Sequence, residues 1–360
     1  MLYSFPNETK LDIFKCLGYQ QLLAFKLTNV YFRDFVNKYE GELAKEKLHM
    51  ILLGDINGFN KIPRKSIKRQ GKKFDFPLPE ELEEKFKKGF KKPIPLVLSC
   101  RGAEDEGIPL ILKKVVTERL FASTFHNIFP GIDPSVHLPQ VEKTEKYTLH
   151  LPPMIKSKED IEIVYYYLNK LFKCVFKCSY FEDYIINPEL IELLFGEAKQ
   201  FYVQNCNIST QEYNSGILLQ FILNNLASEN HRIMFHPMDD TMLDKYEDDL
   251  FKILLNGGDK FGKVYVSLYS TPGFNKNMYN HIVEHVATSK NISKMVPHII
   301  LHFFLCPSLK LPEEAKNVEI KKSNDEKSTT FKIVNIHDPT VKFSFCNEEG
   351  YFVQITIMKE

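Results

Sequence analysis

The period of the apolar side chains changes along this chain, and each change marks an element. From residue 147 onward, short runs of β-branched and aromatic residues alternate with stretches whose apolar positions recur at helical spacing. The runs predict strands over 147–151, 174–178, 199–206, 232–236, 263–269 and 297–304, and the stretches between them predict helices over 159–172, 188–195, 217–226, 246–255 and 275–288. Two of these helices have legible starts: Ser157 stands before Lys158 and Glu159, and Asn187 before Pro188. Each puts a side-chain acceptor at an N-cap, and Pro188 occupies a position where no donor is needed. After residue 311 the period becomes two. Apolar and polar residues alternate over 318–322, 330–336, 341–346 and 352–358, separated by Asn324-Asp325, His337-Asp338-Pro339 and the turn residues 347–350. That pattern predicts an antiparallel meander.

The first forty-odd residues carry a different pattern. Pro6, Asn7 and Glu8 form a helix start, followed by apolar residues at Leu11, Ile13, Phe14 and Leu17 and a stop at Gly18. A second helical run holds Leu22, Leu23, Phe25 and Leu27, and a third holds Val30, Phe32, Phe35 and Val36. Three helices this short bury too little to stand alone, so the unit wants a partner. Residues 5–35 resemble the F-box, whose pattern opens on Leu-Pro-x-Glu, continues with an Ile/Leu pair, a Leu and a Leu-Leu pair, and closes on an aromatic. The matching positions are Phe5-Pro6-Asn7-Glu8, Ile13-Phe14, Leu17, Leu22-Leu23 and Phe32. The departures are Gln21, Thr28 and Val30. The resemblance implies docking of a Skp-family adaptor, and through it a cullin scaffold, by Phe5, Pro6, Leu11, Ile13, Phe14, Leu17, Leu22, Leu23 and Phe32. Leu78-Pro79-Glu80-Glu81-Leu82 opens in the same way, but Gly89, Pro93 and Pro95 break what should follow.

In the middle of the chain, Phe201, Val203, Cys206 and Ile208 fall at the spacing of a leucine-rich-repeat strand and its turn, where the Cys or Asn side chain faces inward. Cys174, Phe176 and Ser179, and Val264, Val266 and Tyr269, approximate the same pattern. The strands recur roughly every 30 residues, as in irregular repeat arrays. The expected fold is therefore α/β: an N-terminal three-helix F-box over 1–45, a helical and basic connector over 46–95, an irregular leucine-rich-repeat-like solenoid over 96–310, and an antiparallel β-meander cap over 311–360. A compact, doubly wound parallel sheet is the alternative. No Gly-rich phosphate loop follows any predicted strand, which favours the solenoid.

Composition narrows the function classes. The 360 residues are 44% apolar and 26% charged with a net charge of +1, an ordinary globular balance with no general attraction to nucleic acid. Seven scattered cysteines fit reduced thiols, and no apolar run reaches the length of a membrane span or signal peptide. The cytoplasm or nucleus is the expected compartment. Lys61, Arg64, Lys65, Lys68, Arg69, Lys72 and Lys73 make a basic run, read as a solvated linker face. His281-Ile282-Val283-Glu284-His285 fits an inverted zinc-protease string without a third ligand. Cys174 and Cys178 lie four apart on one predicted strand face, and Pro237-Met238-Asp239-Asp240 gathers carboxylates without a partner.

No catalytic, cofactor or metal site is expected. The expected role is the substrate receptor of an SCF-type ubiquitin ligase, with a protein substrate on the C-terminal domain. The alternatives are a repeat-type interaction protein in which residues 1–40 only cap the core, and a zinc hydrolase using His281 and His285.

Overall fold

The computed structural model describes residues 4–53, 65–67, 80, 84, 93–99, 110–113, 146–149, 151–152, 154–182, 184–196, 199–210, 215–235, 240–268, 272–304, 309–323 and 326–360. Three helices open the chain: α1 (Asn7–Lys15), α2 (Tyr19–Thr28) and α3 (Val30–Lys38). They lead into strands β1 (Glu46–Leu53), β2 (Lys65–Ile67), β3 (Ile94–Pro95), β4 (Val97–Ser99), β5 (Leu110–Lys113), β6 (Lys146–Leu149) and β7 (Met154–Ile155). Alternation then begins with α4 (Lys158–Phe172), β8 (Cys174–Glu182), β9 (Tyr184–Ile186), α5 (Pro188–Phe195) and β10 (Phe201–Thr210). It continues through α6 (Ser215–Asn225), β11 (Leu226–Phe235), α7 (Asp240–Asn256), β12 (Phe261–Leu268), α8 (Pro272–Thr288) and β13 (His298–Phe303). The meander is β14 (Lys316–Lys322), β15 (Lys327–Val334), β16 (Lys342–Glu349) and β17 (Val353–Lys359).

One open sheet of thirteen strands organises the chain, in the order β14-β15-β16-β17-β13-β12-β11-β10-β8-β1-β5-β6-β2. Its centre is parallel: β1, β8, β10, β11, β12 and β13 lie side by side in chain order. A doubly wound sheet reverses its strand order at a switch point. This sheet does not. Both flanks turn antiparallel, with β17 against β13 and β5 against β1.

The buried rows explain why these segments pair in this register. In β10, Phe201 and Val203 are buried, and after a three-residue step so are Cys206 and Ile208. Neighbouring strands repeat that step. Ile51, Ser179, Cys206, His231, Val264 and Ile299 stand side by side across six strands, each no more than 1% exposed. The same step places Cys174 in the core and leaves Cys178 half-buried, so the two thiols do not share a face as simple alternation predicts. A one-residue slip would expose a whole row of apolar side chains, which fixes the register.

Helix starts follow local chemistry. Ser157 Oγ accepts from the Asp160 N–H at 3.1 Å, and Asp160 Oδ2 accepts from the Ser157 N–H at 3.0 Å, closing a capping box on α4. Ser157→Ala is expected to cost about 1 kcal/mol, read as a shift in the urea midpoint at unchanged slope. Asn187 Oδ1 accepts from the Glu189 N–H at 3.1 Å to start α5, which ends at Gly196 with φ +71°.

Two segments differ from the expected layout. Residues 46–53, expected in a helical connector, form β1 and lie inside the main sheet. Their partners on β5 and β8 are far away in sequence, and local periodicity does not reveal such pairing. The meander also continues the same sheet, pairing along β13 and moving the free edge out to β14. The basic run over 61–73, apart from the three residues of β2, lies outside the described residues, as do Leu78-Pro79-Glu80-Glu81-Leu82 apart from Glu80 and Pro237-Met238-Asp239-Asp240 apart from Asp240.

Candidate functional site

The three N-terminal helices have a core of their own. Phe14, Leu22, Phe32, Phe35, Val36 and Leu43 are buried together, separate from the large cluster on the sheet. The Phe14 ring lies at the centre, 5.1 Å from Phe25, 5.3 Å from Phe35 and 5.9 Å from Phe32. Lys10 is buried, with its ammonium hydrogen-bonded to the Tyr31 hydroxyl, tying α1 to α3. Asn29 Oδ1 accepts from the Phe32 N–H at 3.0 Å and starts α3.

The nine expected docking residues therefore divide by position. Phe14, Leu22 and Phe32 are interior. Leu11 and Leu17 are half-buried against that interior, while Phe5, Pro6, Ile13 and Leu23 face solvent. Leu27, Val30 and Tyr31 also face solvent, Leu27 at 80% exposure. Spacing alone does not mark these three as surface residues, and only a known inside face identifies them. The departures from the F-box pattern have local roles. Gln21 Oε1 accepts from the Gly18 N–H at 2.9 Å at the start of α2, and Thr28 Oγ1 donates to the Phe25 carbonyl at 2.7 Å near its end.

Polar contacts link this unit to the sheet. Lys173 Nζ, just before β8, lies 2.7 Å from Glu40 Oε2. Burial and the charge of Glu46 at the start of β1 raise the Tyr19 hydroxyl's pKa. Among the described residues, exposed large apolar side chains gather at the two ends of the chain. Phe5, Ile13, Leu23, Leu27, Val30 and Tyr31 are at one end, and Leu311, Val318, Ile320, Ile336, Tyr351, Phe352 and Met358 at the other, with Ile217 between.

The parallel sheet offers little reactive chemistry. Burial pushes the Cys206 thiol up to about 12 and also raises Cys178, so both stay protonated and unreactive at neutral pH. On the sheet face opposite that buried row, the Arg232 guanidinium lies 4.5 Å from the centre of the Tyr265 ring, and Tyr265 stacks towards His302. Asn230 Nδ2 donates to Asn205 Oδ1, and Asn205 Nδ2 donates to the Lys177 carbonyl, a short amide ladder across three strands.

His281 and His285 share α8. His281 lies against the Phe251 ring, and burial, followed by the neighbouring His281, lowers the His285 pKa. Among the described residues no cluster of three or more His, Cys, Asp or Glu side chains is placed to hold a metal, so no third ligand joins this pair. No described helix is long and apolar enough to cross a membrane.

A family model described as a domain of unknown function (DUF8381) matches residues 67–236. That segment runs from the end of β2 to just past β11. No curated protein and no solved structure matches the chain.

Proposed function

We propose that this chain is the substrate-recognition subunit of an SCF-type cullin-RING ubiquitin ligase. In this reading α1–α3 dock a Skp-family adaptor, which brings the cullin scaffold, and the C-terminal domain holds a protein substrate. One observation carries it: a three-helix unit with a private core keeps Phe5, Ile13, Leu23, Leu27, Val30 and Tyr31 exposed. Isolated exposed apolar residues are ordinary, but six on so short a stretch mark a surface made for a partner. The F-box spacing from Phe5 to Phe32 supplies the partner's class. The chain-order parallel sheet and its buried inner row support reading the middle of the chain as an irregular leucine-rich-repeat-like solenoid.

The test is co-purification of the full chain with a recombinant Skp-family adaptor. Leu22 is interior, so an aspartate there would unfold the unit and say nothing about docking. Ile13→Asp and Leu23→Asp act on the surface instead. Each puts a charge into a desolvated apolar interface and is expected to weaken adaptor binding by about tenfold or more, with an unchanged melt. A wild-type chain that retains no adaptor overturns the proposal.

A further inference from the structure

The sheet ends at β14, and nothing among the described residues pairs with its outer edge. All seven of its residues are exposed. An unpaired edge presents a row of backbone donors and acceptors, ready for one more strand. Between Lys316 and Glu319 the pairing with β15 slips, and Asn317 takes a left-handed φ of 55°. A groove of about 700 Å³ lies on the inner side of that slip, lined by Asn317, Val318 and Glu319 of β14 and by Thr330, Ser344 and Met358 of the three strands behind it. Val318 and Ile320 on this strand are both exposed, at 38% and 55%.

Charge selects the occupant. The strand carries three lysines against one glutamate. On the next strand, Lys327 is paired with Glu349 at 2.8 Å and Lys332 with Glu360 at 2.7 Å. No ion pair among the described residues engages Lys316, Lys321 or Lys322. Edge lysines oppose pairing with a second copy of the same strand, because like charges meet across the ladder. An acidic strand meets opposite charges at the same positions.

We propose that β14 receives an extended, acidic segment of a partner protein as a further strand along its outer edge. This surface is distinct from α1–α3, and the inference stands whether or not those helices bind an adaptor.

The experiment selects short random peptides displayed on phage against the immobilised full chain. The expected winners alternate acidic with β-branched residues and protect the amides of 316–322 from hydrogen exchange. N-methylation of alternate amides in a selected peptide should abolish binding, because it removes the ladder donors. Lys321→Glu with Lys322→Glu should weaken binding about tenfold, and Lys321→Gln with Lys322→Gln by less, both with an unchanged melt. The inference is overturned by any of four results. These are no enrichment, enrichment of neutral or basic peptides, protection elsewhere on the chain, or a dimer in sedimentation that already protects 316–322 without peptide.

Discussion

Phe14→Ala is expected to cost about 3 to 5 kcal/mol and to unfold α1–α3 while the sheet stays folded. The Phe14 ring is fully buried and packs against Phe25, Phe32 and Phe35. Only six residues form the buried cluster it belongs to. A core this small has little stability in reserve, so a loss of that size exceeds what holds the unit together. The sheet should not follow, because its own core is a separate cluster. Among the polar contacts between the two, the Lys173–Glu40 pair joins side chains 47% and 34% exposed, and a pair that wet contributes about 0 to 1 kcal/mol. Hydrogen exchange separates the outcomes. Amides of 7–38 should exchange freely in the variant while those of β10, β11 and β12 keep their protection. Loss of protection in both would mean that residues 1–40 cap the sheet, and would count against a docking module.

The sequence marked elements better than it marked surfaces. Pro188–Phe195 is legible because Asn187, Pro188 and Gly196 state its start and its end. The inward row through Cys206 is legible because the spacing of Phe201, Val203, Cys206 and Ile208 is local. β11 is harder to see. Its first six residues include Ser228 and His231, buried polar residues that break the apolar pattern, so periodicity finds only the end of the strand. β1 was hidden for another reason: its partners Cys174–Glu182 and Leu110–Lys113 lie more than fifty residues away. In α1 and α2 the pairs Ile13 and Phe14, and Leu22 and Leu23, are neighbours in sequence with opposite burial. Spacing shows that each helix has an apolar side, but the packing of all three decides which member of each pair turns inward. Leu27 and Val30, the most exposed of the set, were therefore unreadable as surface residues.

His231→Asn is expected to remove about 2 kcal/mol of the stability that the wild type loses between pH 7 and pH 5. His231 is buried on β11 between Cys206 and Val264, with its ring 5.0 Å from Phe261. Its Nδ1 shares a hydrogen with Ser228 Oγ at 3.0 Å, while Nε2 has no hydrogen-bond partner. A proton added there would place a charge and an unpaired N–H in an apolar row, so burial pushes the imidazole down to about 3 from its usual 6.5. Between those two values the unfolded chain binds a proton that the folded chain refuses. Stability therefore falls as the pH drops from about 6.5 towards 3. Asparagine keeps a polar atom near Nδ1 and does not titrate. Whatever it costs at pH 7, its urea-denaturation free energy should change less on acidification than that of the wild type. His285, His298 and His302, also lowered chiefly by burial, are common to both proteins and cancel in the difference. Equal acid sensitivity in the two chains would mean that another group carries it. No histidine lies in residues 4–45, so local exchange in α1–α3 should show none of this histidine-driven loss. Acid would then weaken the sheet ahead of the helical unit, whereas Phe14→Ala weakens the helical unit first. Two separate cores allow that opposite order, and a cap fused to the sheet would not.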